Sequence, residues 1–146
     1  MIYTKMTKAA LKLCFEAHKD QTDKSGMPYV FHPFHLAEAM QDEKTTIVAL
    51  LHDVIEDTAY TLDDLRGMGF SHDVLAAIAL MTHEDGVPYM EYVGRIKENP
   101  IARAVKLADL LHNSDLSRLE TITPRDEERA EKYKKAIALL KDGGIS

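Results

Sequence analysis

A histidine and an aspartate stand side by side in an otherwise apolar stretch of the chain, as His52-Asp53. Two leucines precede the pair and Val-Ile follows it, so both side chains are expected close to a protein core. Burying an unpaired carboxylate is strongly unfavourable, and a divalent cation is the most direct compensation because imidazole and carboxylate groups are both good ligands. An isolated His-Asp pair is more often a simple buried hydrogen bond, so a metal site requires further ligands.

Two further residues are suitable as ligands. His32 stands immediately before Pro33, and Asp109 lies in a second apolar helical stretch. Lys106, Asp109 and Asn113 are spaced i, i+3 and i+7, which places them on one polar face of that helix. Adjacent helical residues point about 100° apart, so His52 and Asp53 can reach one metal only off a helix end or between helices.

Two acidic residues follow the His-Asp pair by one turn. Glu56 is at i+4 from His52, and Asp57 is at i+4 from Asp53. Acidic residues at a helix C-terminus oppose the helix dipole, which favours a functional role over a solvated helix end. We expect these carboxylates to lie beside the metal and to orient a water molecule.

The elements that position these residues are predicted to be helices. Apolar residues recur at helical spacing almost throughout, and no segment alternates with a period of two. We predict an all-α bundle of about eight short helices without a significant sheet, formed by residues 1–146 as a single domain. The predicted helices run from about 4–19, 33–40, 45–56, 61–67, 71–81, 88–97, 100–116 and 124 to just before Gly143.

Composition narrows the class of protein. Apolar residues make up 45% and charged residues 29% of the 146 residues, as in globular domains. The net charge of −6 argues against non-specific binding to nucleic acid or to an anionic membrane, but it allows a small anionic substrate held by a metal. The single cysteine, Cys14, is expected in the core. No signal peptide or membrane span is recognised, so we expect a cytoplasmic protein; the sequence leaves the oligomeric state open.

Three segments, residues 25–33, 51–58 and 105–113, resemble the hydrolase domain of the alarmone family within the HD superfamily. That family includes the (p)ppGpp hydrolase half of bifunctional synthetase/hydrolases and the small alarmone hydrolases. The resemblance extends from about residue 9 to residue 119. It implies an HD-type helical fold and removal of the 3′-pyrophosphate from a guanosine nucleotide, which yields GDP or GTP and pyrophosphate.

The resemblance also implies roles for individual residues. The metal ligands would be His32, His52, Asp53 and Asp109. The metal would usually be Mn²⁺, although Fe²⁺, Zn²⁺ or Mg²⁺ also suits this ligand set. Glu56 and Asp57 match the acidic pair that activates the attacking water. Lys24, Tyr29 and Asn113 match residues near the nucleotide, and we expect Lys106 to contact substrate as well.

The sequence departs from the family at Asp23, where these hydrolases commonly carry an arginine that packs on guanine. A carboxylate cannot stack on a base as a guanidinium does, and it repels phosphate. Two alternatives therefore remain open at this point. One is an HD phosphohydrolase acting on another nucleotide or dinucleotide phosphate, and the other is a non-catalytic nucleotide-sensing module.

Overall fold

The computed structural model of the protein describes residues 1–142, and this part of the chain is helical. Its nine α-helices and one 3-10 helix confirm the predicted all-α class. No strand occurs within these residues beyond an isolated bridge between Thr22 and Pro28. The helices are α1 (Lys5–His18), α2 (Phe31–Glu38), α3 (Glu43–Leu51), α4 (Val54–Asp57), α5 (Leu62–Gly67), α6 (His72–Met81), α7 (Tyr89–Lys97), α8 (Pro100–Asn113) and α9 (Pro124–Lys141), with the 3-10 helix Leu116–Arg118 after α8.

Helix α3 forms the centre of the core. All five residues from Ile47 to Leu51 are at most 3% exposed, because α1, α2, α6 and α8 pack around this helix. Each fully buried leucine or valine contributes about 1.5–3 kcal/mol relative to an exposed one. The C-terminal end of α3 is therefore tightly packed and shielded from solvent, so it can hold side chains in fixed positions.

The predicted helix over residues 45–56 was wrong in one respect, because the chain breaks it at His52-Asp53. Helix α3 ends at Leu51, and α4 begins at Val54. The spacing of apolar residues continues across the break, which is why the sequence indicated one helix. Because of the break, His52 and Asp53 lie off the end of a helix rather than along its side. This is one of the two arrangements in which both side chains can reach a single metal ion.

Helix α8 begins and ends at identifiable residues. Pro100 occupies the first turn as predicted, and the Asn99 side chain accepts hydrogen bonds from the amides of Ile101 and Ala102, both at 3.0 Å. These amides have no partner inside the helix, so the cap satisfies them. The helix ends at Asn113, not at residue 116 as predicted, because Leu116 belongs to the separate 3-10 helix.

Other expectations are also settled by the fold. Pro33 lies in the first turn of α2, where the missing amide hydrogen breaks no helical hydrogen bond. Cys14 is buried in the core, and burial followed by the nearby charge of Asp53 raises its pKa to about 12. Gly143, expected just beyond the last helix, lies outside the described residues. No helix among residues 1–142 is long and apolar enough to cross a bilayer.

Candidate metal centre

Three of the four predicted ligands come together between α2, α3 and α8. One ligand atom each from His32, His52 and Asp109 lies within 4.8 Å of the other two. The Nε2 atoms of His32 and His52 are 2.8 Å and 3.5 Å from Asp109 Oδ1. All three residues are at most 5% exposed. Residues distant in the chain therefore converge at the end of the most buried helix.

Asp53, the fourth predicted ligand, stands at the edge of this cluster. Its Oδ2 atom is 3.0 Å from His52 Nε2 and accepts a hydrogen bond from the Tyr29 hydroxyl. Its side chain is 20% exposed, so it faces solvent more than the other three. Asp53 is not part of the three-residue cluster, and its role as a ligand stays a prediction.

The hydrogen bonding of His52 supplies a test of whether a cation fits here. Its Nδ1 lies 2.7 Å from the Ala49 carbonyl oxygen, which can only accept, so Nδ1 carries the hydrogen. In the neutral ring Nε2 then presents a lone pair. This atom is buried without a hydrogen-bond partner, and it faces the carboxylate oxygens of Asp53 and Asp109. A cation between these three electron-rich atoms would satisfy all of them, and mixed nitrogen and oxygen ligation suits a divalent metal ion.

The charges of the site are unequal. Burial alone raises the pKa of Asp109, but the Lys106 ammonium, 3.0 Å from its Oδ2, and a hydrogen bond with His32 hold that pKa well below its usual range. Burial, and then the charge of Asp109, raise the pKa of Asp53 well above its usual range. Ionisation is therefore more favourable than usual at Asp109 and less favourable than usual at Asp53.

Histidines outside the cluster support His32. The Nδ1 atoms of His32 and His112 are 2.6 Å apart, and His35 stacks on His112 with ring centroids 4.2 Å apart. His32 Nε2 is also 2.8 Å from Asp109 Oδ1, so the ring is held at both nitrogens, and neighbouring groups orient metal ligands in this way. The Asn113 amide also donates to Asp109 Oδ1, at 3.1 Å.

The predicted acidic pair lies just beyond the break, on α4. Glu56 and Asp57 are both exposed. Glu56 Oε1 accepts a hydrogen bond from the backbone amide of His83, and the Asp57 carbonyl accepts one from Gln21 at 3.0 Å. The contact with His83 was missed from the sequence, because a bond from a backbone amide has no residue signature.

A cavity of about 320 Å³ opens beside the metal cluster. Lys24, Tyr29 and Asn113 line it, whereas Lys106 is not among its lining residues, and the contact of all four with a nucleotide stays a prediction. Tyr29 bonds to Asp53 and Asn113 to Asp109, so these two residues connect the cavity to the cluster. Further lining residues are Asp23, Arg118 and Arg129.

The Asp23 carboxylate accepts hydrogen bonds from residues of its own loop. Its Oδ1 accepts hydrogen bonds from the Ser25 amide at 2.9 Å, the Ser25 hydroxyl at 2.7 Å and the Met27 amide at 3.0 Å. Burial alone would raise the pKa of Asp23, but these bonds hold it below its usual range. Gly26, with φ of +83°, completes the turn in a backbone conformation that favours glycine.

Comparisons with known proteins identify relatives of this chain. No family model matches the chain. The chain is 36% identical over 135 residues to mouse guanosine-3′,5′-bis(diphosphate) 3′-pyrophosphohydrolase MESH1, an alignment that covers 82% of this chain and 74% of MESH1. It is 38% identical over 109 residues to the GTP pyrophosphokinase of Streptomyces coelicolor, covering 66% of this chain. The chain spans only 13% of the length of that longer protein.

A solved structure has the same fold. This metazoan orthologue of SpoT, described as hydrolysing ppGpp, superposes with a TM-score of 0.77 over 97% of this chain and 89% of its own, at 24% identity. The structural match supports the HD-type helical fold, and the sequence match extends over most of MESH1. The chain therefore belongs to the HD-superfamily ppGpp hydrolase family that includes mouse MESH1.

Proposed function

We propose that this protein is a divalent-metal-dependent hydrolase that removes the 3′-pyrophosphate from ppGpp and pppGpp, with Mn²⁺ as the metal and residues 1–146 as one catalytic unit. The observation that carries the proposal is the buried, unpartnered His52 Nε2 directed at two carboxylate oxygens. Membership of the family adds the reaction, which is the one named for MESH1.

His32, His52 and Asp109 would hold the metal, with Asp53 as a fourth ligand. A divalent ion bound there supplies positive charge for a phosphate oxygen and lowers the pKa of a coordinated water. Lys106 keeps Asp109 ionised through their 3.0 Å ion pair, and we now assign it to that task rather than to direct contact with the substrate. This arrangement lets an acidic protein hold a strongly anionic nucleotide.

Glu56 is our candidate for the general base. One of its carboxylate oxygens, Oε1, is held by the His83 amide, so Oε2 is the oxygen available to take a proton from the attacking water. Asp57 follows directly and would orient the same water. On the substrate side, Lys24 supplies positive charge at the cavity, and Tyr29 and Asn113 line the passage between cavity and metal.

The decisive experiment incubates purified protein and Mn²⁺ with ppGpp and quantifies GDP and pyrophosphate. We expect equal amounts of the two products. Glu56→Gln should keep its metal and lose about 100-fold or more in turnover, as is typical when a general base is removed. Glu38→Gln, an exposed glutamate on α2, is the matched control and should retain full activity. Bound nucleotide without turnover by the unmodified protein would favour a sensing module instead.

Metal binding is tested separately from turnover. His52→Ala and Asp53→Ala should each lose bound metal in elemental analysis of the purified protein, because each removes one of a small set of ligands. Stoichiometric metal in both variants would contradict the assignment, whatever the activity.

A second candidate is hydrolysis of a different nucleotide phosphate at the same centre. The observation that favours it is Asp23, whose carboxylate lines the cavity in place of a base-stacking guanidinium. Guanosine, adenosine and dinucleotide phosphates should be compared at equal concentration. Inorganic phosphate released from another nucleotide, with ppGpp left intact, would support this second candidate.

A further inference from the structure

The Glu56 carboxylate depends on a distant loop for its orientation. Glu56 lies on α4, a helix of four residues, and its side chain is exposed. Among residues 1–142 the hydrogen bond from the His83 amide is the one such bond that this carboxylate makes. His83 lies 27 residues later, in the loop between α6 and α7. The position of that loop therefore sets the direction of the carboxylate.

The imidazole of His83 closes this loop on itself. Its Nε2 is 2.7 Å from the Val87 carbonyl oxygen, and because a carbonyl only accepts, Nε2 donates. The Val87 amide bonds in turn to the Glu84 carbonyl at 3.3 Å, and Gly86, with φ of +84°, permits the tight path between them. The side chain of His83 thus fixes the backbone that carries its own amide.

The loop is also attached to the core through Tyr92. The His83 ring stacks on the Tyr92 ring with centroids 4.4 Å apart and planes 14° apart. Tyr92 is 6% exposed, and its hydroxyl donates to the Met81 carbonyl at 2.5 Å, directly before the loop. Lys106, the partner of Asp109, lies 5.3 Å from the centre of the same Tyr92 ring. The Tyr92 ring therefore contacts both His83 of the loop and Lys106, the ion-pair partner of Asp109 in the metal cluster.

We propose that His83 is a positioning residue for Glu56: its imidazole holds the 82–88 loop so that its backbone amide fixes Oε1 and leaves Oε2 facing the attacking water. This inference rests on the proposed hydrolase function. His83 neither lines the cavity nor belongs to the three-residue cluster, so we expect it to affect the rate of the chemical step rather than substrate affinity.

A double-mutant cycle tests the proposal. We expect His83→Ala to lower kcat about tenfold or more, with KM and metal content within twofold of the unmodified protein. His83→Gln, which keeps an N–H donor for Val87, should recover most of the loss. His72→Ala, an exposed histidine at the start of α6, is the control and should leave kcat unchanged. In a Glu56→Gln background His83→Ala should cause no further loss. An equal loss in both backgrounds would overturn the proposal.

A measurement that needs no turnover separates this inference from the proposed function. Amide hydrogen exchange at residue 83 reports the contact directly. We expect exchange to accelerate about tenfold or more in Glu56→Ala and in His83→Ala, and to stay slow in Glu56→Gln and His83→Gln, which keep the required acceptor or donor. Unchanged exchange in Glu56→Ala would show that the contact is absent, even if ppGpp is hydrolysed. Accelerated exchange in a protein inactive on ppGpp would support the contact and count only against the function.

Discussion

Replacing Asp53 with asparagine should stabilise the metal-free protein while it weakens metal binding. Asp53 Oδ2 and Asp109 Oδ1 lie 3.0 Å and 3.5 Å from the same nitrogen of His52, so they are at most about 6.5 Å apart. Two unit charges at that separation repel by about 2.5 kcal/mol at an effective dielectric constant of about 20. The Lys106 ammonium offsets part of this repulsion. We therefore expect Asp53→Asn to raise the free energy of unfolding by about 1–2 kcal/mol, or Tm by roughly 3–6 °C for a domain of this size.

The asparagine also provides a hydrogen-bond donor, which the ionised carboxylate lacks. Its amide group can donate to the lone pair on His52 Nε2 while the Tyr29 hydroxyl, which can accept, keeps its contact with the side chain. The same substitution removes one proposed ligand. The gain in stability on adding Mn²⁺ should therefore be much smaller in the variant than in the unmodified protein.

The assay is urea denaturation followed by circular dichroism at pH 7.5, first in EDTA and then in excess Mn²⁺. Asp20→Asn, an exposed aspartate without an ion pair in residues 1–142, is the control and should change stability by less than about 0.5 kcal/mol. The reasoning is refuted if Asp53→Asn destabilises the metal-free protein, or if Mn²⁺ stabilises the variant and the unmodified protein equally.

The pH dependence of this difference has a defined sign. Burial and the charge of Asp109 raise the pKa of Asp53 in the folded protein above the value of about 3.9 expected in the unfolded chain. Ionisation is therefore less favourable in the folded state, and the metal-free protein loses stability as the pH rises from the unfolded pKa through the raised folded pKa. The advantage of Asp53→Asn should vanish below about pH 4 and grow above it. Asp109 has the opposite shift, and because the two carboxylates interact, the difference reports Asp53 together with its effect on Asp109.

Three further predictions concern the elements around the cluster. Lys106→Met should lower the free energy of unfolding of the metal-free protein by about 3 kcal/mol in urea denaturation, because the Asp109 carboxylate stays buried without its counter-charge; a loss below about 1 kcal/mol would contradict this. Mn²⁺ at about one hundred times its Kd should stabilise the unmodified protein by about 2.7 kcal/mol and Asp109→Asn hardly at all, as measured by the shift in urea midpoint. Asn99→Ala should cost about 1 kcal/mol by removing the cap of α8, with metal content unchanged in elemental analysis, and a lost metal would be the contrary result.

Much of the helical framework could be predicted from the sequence because apolar spacing, prolines and caps are local signals. The spacing of Lys106, Asp109 and Asn113 also predicted their common face, and the structure joins both outer residues to Asp109. The break at His52-Asp53 could not be predicted, because the apolar positions on either side continue the same helical period. The directions of the two side chains indicated only that a shared metal must lie off a helix end or between helices.

Contacts made by backbone groups, or between residues distant in the chain, could not be predicted from the sequence. The amide of His83 at Glu56 belongs to a loop that carried no pattern of its own. The pairing of His112 with His32 joins residues 80 positions apart, and only the packing of α2 on α8 brings them together. Lys106 was expected to contact the nucleotide; the structure pairs it with Asp109, a partner that the sequence did not identify. Residue types thus indicated the chemistry, whereas tertiary packing decided which partner each charge received.

The three hydrogen bonds accepted by Asp23 limit how the nucleotide preference of this chain can change. A reversion to arginine at this position would restore a flat cationic group but would leave two backbone amides and a hydroxyl without their shared acceptor. The loop geometry depends on the carboxylate at this position, so an arginine there would need compensating substitutions in the neighbouring turn.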